Sequence, residues 1–282
     1  MVKPTVIDQT RPMTSTVTST GTSPVGPLLR EWRQRRRVSQ LDLSIQAEVS
    51  SRHLSFVETG RARPSRAMVL HLATALDVPK REQNQLLIAA GFAPAFTERP
   101  LDDPDLAPIR AGLDRVLTAY EPFPCLVVDR GWSMVMANAG VTAVLEGVSP
   151  DLLAPPNAPP NALRISLHPE GLAPRILNLA EWRSPVLGRL AREAASSGSE
   201  VLRALHDELA AYPGGLDAGL DDRLDDGAIA VTMVLDAPAG PLSFLSTVTT
   251  FGTALDLTAA ELSIEAFLPA DEHTARALQD QT

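Results

Sequence analysis

Residues 38–65 read "VSQLDLSIQAEVSSRHLSFVETGRARPS", and how this stretch folds decides what the first part of the chain is. Ser39 precedes a helical run, Gln40 to Glu48, in which Leu43 and Ala47 are spaced i, i+4 on one face. Ser50 is a good N-cap for a further helix through Glu58, with Leu54 and Val57 turned inward. Gly60 supplies a stop where a left-handed residue is expected. Helices this short are not stable alone and must pack on neighbours. Their connection of about three residues matches a helix-turn-helix.

Reading outward, a first helix runs from Pro27 to Arg37 with Leu28, Leu29 and Trp32 on one face. Ser65 caps a fourth helix with the stripe Met68, Leu72 and Leu76, and Pro79 opens a fifth that ends before Gly91. The expectation is an all-α, five-helix domain over residues 25–95. Residues 1–24, rich in Thr, Ser and Pro, lack the apolar core of a secretory signal and read as a disordered arm.

Between Leu28 and Arg81 the chain carries a net charge of +6, against −15 over the rest and −9 overall. Such segregation points to an anionic partner for the first part, the bland alternative being a solvated cluster of arginines. The stretch resembles the helix-turn-helix of the XRE, or lambda-repressor-like, family of bacterial regulators. Ser39-Gln40, Leu43, Ala47, Val49-Ser50, Leu54, Val57-Glu58, Gly60-Arg61 and Pro64-Ser65 carry the likeness. Glu48 departs from it, because the family usually has Gly in that turn.

With Leu54 and Val57 inward, Ser51, Arg52, Ser55 and Phe56 face outward, and the major groove admits one such helix. Arg52 can donate two hydrogen bonds to a guanine, and Ser51 can bond a base or a phosphate. Phe56 can touch a thymine methyl or pack on a neighbouring loop. His53, beside the cap Ser50, reads as a groove-edge neighbour and not a catalytic group. Arg61 and Arg63 follow the helix and are placed to hold phosphates. The resemblance implies a phosphate contact for Gln40 and an orienting pair between Glu58 and Arg33. Double-stranded DNA is therefore the expected partner, read by a homodimer on two half-sites.

The remainder alternates helices with hairpins, which implies an α+β domain over residues 104–278. After a polar link, "FAPAFTERPLDDPDLAPI", periodicity returns from Leu106 to Tyr120. "CLVVDRGWSMVMANAG" reads as a hairpin, with Val127, Trp132 and Val135 suited to a sheet core. Residues 149–161 read as a rigid Pro-rich loop, and Asn178 to Tyr212 as helices. A second hairpin turns at Pro238 to Pro241, and "LSIEAFLP" alternates like an edge strand.

This half resembles the MmyB-like ligand-binding domain, through "PCLVVDRGWSMVMANAG", "LRISLHPEGLAPRILNLAEW" and "GPLSFLSTVTTFGTALDLTAAELSIEAFLPAD". The resemblance implies a PAS-like fold and a small-molecule effector, with fatty-acid-like ligands as the implied class. Trp132, Met134, Met136, Phe244 and Phe251 are the candidate lining residues, each with a plain core role as its alternative. Arg164, His168 and Arg175 can hold a ligand carboxylate or form ordinary salt bridges. Asn138 ends its strand, as a ligand contact or as a cap for the next helix. The rival reading gives this domain dimerisation or partner binding alone.

Other classes find little support. The five histidines are scattered without metal-ligand spacing, and there is no Walker loop, GxSxG elbow or GxGxxG after a strand, so neither an enzyme nor a cofactor is expected. "DDRLDDG" lacks the spacing of a calcium loop. No apolar run approaches the ~18 residues of a membrane span. A single cysteine, Cys125, lies in an apolar strand and fits a reducing cytoplasm.

Overall fold

The structure, a computed structural model, describes residues 25–216, 231–251 and 256–280. The expected arm at 1–24 and the acidic run at 221–227 lie outside the described residues. Two compact units divide the chain: residues up to 76 with 86–92, and residues 77–85 with 93 onward.

The helices of the first part are α1 (Val25–Arg35), α2 (Gln40–Gln46), α3 (Ser51–Glu58), α4 (Arg66–Ala75) and α5 (Lys80–Ala89). Serine oxygens start three of them: Ser39, Ser50 and Ser65 accept the backbone N–H groups of Asp42, His53 and Met68. Each removes one orphan donor of a helix start. Leu29, Trp32, Leu43, Leu54, Val57 and Leu72 are each buried. On α4 the buried stripe is Val69, Leu72 and Leu76, while Met68 is only half-buried. The centre of the buried arc thus falls one residue later than periodicity placed it. Gly60 adopts φ +72°, the expected left-handed stop.

Two backbone features set the angle of α3. A Cβ on Gly26 would lie 2.4 Å from the Val57 carbonyl oxygen and 2.8 Å from that of Glu58, so α1 meets the end of α3 backbone to backbone. Glu48, where the resembling family carries Gly, adopts φ +50°, so the turn is left-handed without a glycine. A left-handed non-glycine residue costs about 1–2 kcal/mol, and glycine returns about 0.5–1 kcal/mol of that as lost backbone entropy. Glu48→Gly is therefore expected to stabilise the protein by about 0.5–1 kcal/mol in urea unfolding. A fall instead would mean that the Glu48 side chain itself holds the turn.

The second unit is built on a five-stranded antiparallel sheet in the order β2-β1-β5-β4-β3. The strands are β1 (Cys125–Val128), β2 (Met134–Ala137), β3 (Met233–Leu235), β4 (Leu242–Thr250) and β5 (Ser263–Pro269). The segment read as an edge strand is β5, and it is central, paired to β1 on one side and β4 on the other. Its alternation reports two covered faces and not an exposed side. On one face, Cys125, Val127, Ile264 and Ala266 pack under α6 (Ala107–Tyr120). The other face meets α9 (Ala162–Leu167), α10 (Leu179–Ser197) and α11 (Glu200–Ala211) through a larger core that includes Leu126, Val128, Leu190 and Leu209.

A register shift between Val127 and Val128 pairs Val128 with Met134 but Val127 with Met136. The irregularity puts Met134 and Met136 on opposite faces of the sheet, although strict alternation would put them on the same one. Val135, expected in the core, is 37% exposed on this edge strand. Residues 149–161 are not all loop, since Pro150–Leu153 form the short helix α8. Asn138 makes no side-chain cap to α7 (Ala139–Val144). Its Oδ1 accepts from the Cys125 N–H, and its Nδ2 donates to the Leu117 and Phe123 carbonyls. It therefore knits α6 to β1.

The polar link is also fixed within this unit. Asn84 Oδ1 accepts the N–H groups of Ala95 and Phe96, the Thr97 carbonyl accepts from Leu257, and Arg99 pairs with Asp256. Arg81 reaches Glu98 at 2.7 Å and Glu261 at 2.8 Å.

Candidate nucleic-acid interface and ligand cavity

The outward side of α3 follows from its inward side. Leu54, Val57 and the Glu58 side chain are buried, leaving Ser51 and Arg52 exposed and Ser55 and Phe56 half-buried. Arg33 forks onto Glu58, Nε to Oε1 at 2.7 Å and Nη2 to Oε2 at 2.9 Å, with Gln40 Nε2 donating to the same Oε2 at 3.0 Å. One carboxylate thus ties α1, α2 and α3 together. It also holds the Arg33 guanidinium more firmly protonated than in free arginine. Gln40 is anchored by this bond at the N-terminus of α2.

The Arg52 guanidinium lies 5.4 Å from the centre of the Phe56 ring, one turn along the same helix. Ser51 shares a hydrogen bond of 2.8 Å with Ser44, Ser50 is engaged as the cap, and His53 is half-buried. Arg61 and Arg63 are exposed beyond the helix.

In the second unit, a cavity of about 80 Å³ lies between one sheet face and helices α9 and α10. Trp132, Met134 and Phe244 line it, as expected, joined by Trp182 and Val186 of α10 and by Phe267 of β5. Met136 and Phe251 lie elsewhere, packed with the α6 face of the sheet. Arg164 and His168 do not reach the cavity. Arg164 forks onto Glu208 at 2.7 Å, and the Tyr212 hydroxyl donates to the same carboxylate at 2.6 Å. Those hydrogen bonds hold Glu208 below the usual carboxylate range, while burial and the hydrogen bond to Glu208 push Tyr212 up to about 12. His168 Nδ1 accepts from the Glu170 N–H, its ring edge-on to Tyr212. Arg175 donates to the carbonyls of Val144, Glu146 and Asp236. Burial pushes the Cys125 thiol up to about 11, which suits a packing role.

Sequence reasoning missed the polar groups of the cavity. Arg189 Nε donates to Glu193 Oε1 at 2.9 Å, and its guanidinium lies 4.3 Å from the centre of the Trp132 ring. Trp132 Nε1 donates to the other Glu193 oxygen at 3.0 Å. Glu265 of β5 lines the same cavity, 7% exposed, its Oε1 accepting the Ser246 hydroxyl at 2.8 Å. Burial raises its pKa, with the Ser246 hydrogen bond pulling the other way. The available signal was an acidic residue at the centre of the apolar run "LSIEAFLP".

The helical unit and the cavity-bearing unit together are those of a DNA-binding transcription regulator with a ligand-binding domain. Residues 109–280 match the family described as the MmyB-like transcription regulator ligand binding domain, and residues 25–86 match a helix-turn-helix domain. The chain belongs to the MmyB-like transcription regulators. It is 38% identical over 77 residues to the uncharacterized HTH-type transcriptional regulator RghRB of Bacillus subtilis (strain 168), covering 27% of this chain and 53% of that relative. The chain thus spans about half the length of that curated relative.

Among solved structures, the restriction-modification controller protein C.AhdI from Aeromonas hydrophila is 34% identical, with a TM-score of 0.21, over 22% of this chain and 94% of that one. The clp gene regulator ClgR from C. glutamicum is 27% identical, with a TM-score of 0.22, over 25% and 87%. These families are regulators and not enzymes. Among the described residues, no helix is long and apolar enough to cross a membrane.

Proposed function

We propose that this chain reads a specific DNA site as a homodimer and that a small apolar effector, held in the α9–α10 cavity, controls the reading. The helix-turn-helix domain is assigned to residues 25–95 and the effector domain to 104–278. The observation that carries the DNA half is the exposed edge of α3, where Arg52 projects while Leu54 and Val57 are buried. Arg52, Ser55 and Phe56 are assigned to bases, and Gln40, Ser50, Ser51, His53, Arg61 and Arg63 to the groove edge and phosphates. One such helix reads few base pairs, so useful specificity takes two half-sites about one helical turn apart.

The apolar walls and aromatic side chains of the cavity support the effector half. The volume favours a compact occupant, because drug-sized pockets run to about 300–1,000 Å³. A fatty-acid-like effector therefore requires the walls to part, and its headgroup must be accommodated beside Glu265. Mass spectrometry of small molecules released from the purified protein, with footprinting of its operator before and after their removal, tests both halves. The expected result is a two-half-site footprint that changes with the released molecule. A footprint on a single half-site at saturation defeats the homodimer. A protein that neither carries nor binds a small molecule leaves the second domain to dimerisation or partner binding.

A further inference from the structure

The cavity is apolar but not neutral, and its charge balance bears on what it takes. Among the described residues, its two ionisable lining residues are Arg189 and Glu265. The Arg189 charge is already matched: Glu193 accepts its Nε–H, and the guanidinium lies against the Trp132 face. Glu265 receives a hydroxyl hydrogen bond from Ser246, which carries no charge. The Arg189 charge that would favour its ionised form is opposed by the Glu193 charge beside it. Among the described residues Glu265 forms no salt bridge, and burial favours its neutral acid. A cation entering the cavity would draw the proton off to solvent and pair with the carboxylate.

The walls around it are aromatic. Trp132, Trp182, Phe244 and Phe267 all line the cavity, with Phe267 6.3 Å from Trp182 and 6.4 Å from Phe244 between ring centres. Aromatic faces attract cations, tryptophan most strongly, and the attraction grows when water is excluded. An ammonium group would pair with the Glu265 carboxylate as its proton leaves, whereas a ligand carboxylate would meet only Arg189, which Glu193 already holds.

We infer that the effector is a compact apolar molecule carrying one positive charge, an alkyl or cycloalkyl ammonium, whose cationic end pairs with Glu265 inside the aromatic walls. The inference rests on the reading of this cavity as the effector site. It sets the specificity of the domain: Glu265 selects the charge, and the walls select the size.

Three probes sharing one apolar body separate the possibilities: cyclohexylmethylammonium, cyclohexylmethanol and cyclohexanecarboxylate, each titrated calorimetrically into the full chain at neutral pH. The ammonium is expected to bind about tenfold or more tighter than the alcohol, and the carboxylate weakest. Glu265→Gln should reduce ammonium binding to the level of the alcohol while leaving the alcohol within about threefold of its original affinity. An alcohol that binds as tightly as the ammonium overturns the inference and leaves the cavity reading standing. A carboxylate that binds tightest overturns it in favour of an acidic effector. If none of the three binds or alters tryptophan emission, the cavity reading falls and the inference with it. Should Glu265→Gln fail to fold, the order of the three headgroups on the unaltered protein decides alone.

Discussion

Glu58→Gln is expected to lower the stability of the helix-turn-helix unit by about 3 kcal/mol, the largest single effect among its polar side chains. The Glu58 side chain is 3% exposed and that of Arg33 12%, so removing the carboxylate charge strands a guanidinium that water reaches poorly. The one amide oxygen that remains cannot serve both Arg33 and Gln40 as the carboxylate does, and the new NH2 group faces their donors. Arg33→Met should cost a similar amount, by leaving Glu58 buried with only the Gln40 amide. The double variant should cost less than the two single losses added together, because neither charge then remains to be hydrated. Calorimetric unfolding of the four proteins closes the cycle. Single variants within about 0.5 kcal/mol of the parent would place the pair in the class of screened surface contacts.

The serine caps and the left-handed Gly60 were legible because each depends on chemistry within a few residues, whereas the Arg33–Glu58 pair, 25 residues apart, followed only from the family resemblance. The position of β5 was not. Alternation reports which side chains share a face, and Ile264 and Ala266 do share one; it does not report which strands lie alongside. The order β2-β1-β5-β4-β3 inserts the last strand between the first and the fourth, a pairing across more than a hundred residues. Met136 was misplaced for a smaller reason, since the shift between Val127 and Val128 reverses faces without any Gly or Pro in β2 to signal it. The polar end of the cavity brings Arg189 of α10 to Trp132 of the β1–β2 turn and Glu265 of β5, with Glu193 of α10 accepting from Arg189 and Trp132, and no local pattern links these positions. Arg164 and His168 suit ligand clamps by being basic, yet Arg164 is matched by Glu208 from α11 and His168 lies against Tyr212, which follows that helix. Glu208 and Tyr212 reach them only through the packing of α9 on α11.

The second large effect concerns DNA. Arg52→Ala is expected to weaken binding to the preferred operator by about 1–3 kcal/mol and to flatten the preference at one base pair. The Phe56 ring, 5.4 Å from its guanidinium, limits the directions that the fork can take, and a bidentate contact to guanine needs such restriction. Arg52→Lys keeps the charge but not the fork, so it should lose most of the base preference while retaining non-specific affinity. Arg61 and Arg63 are exposed beyond the helix end. Arg61→Ala should therefore weaken every sequence alike and reduce the salt slope by about one. Titrations at several salt concentrations, on operator and scrambled duplexes, measure the two behaviours in the same experiment. If Arg52→Ala loses equally on both duplexes, Arg52 holds a phosphate. Base reading then passes to Ser55 and Phe56, because the Ser51 hydroxyl is already shared with Ser44.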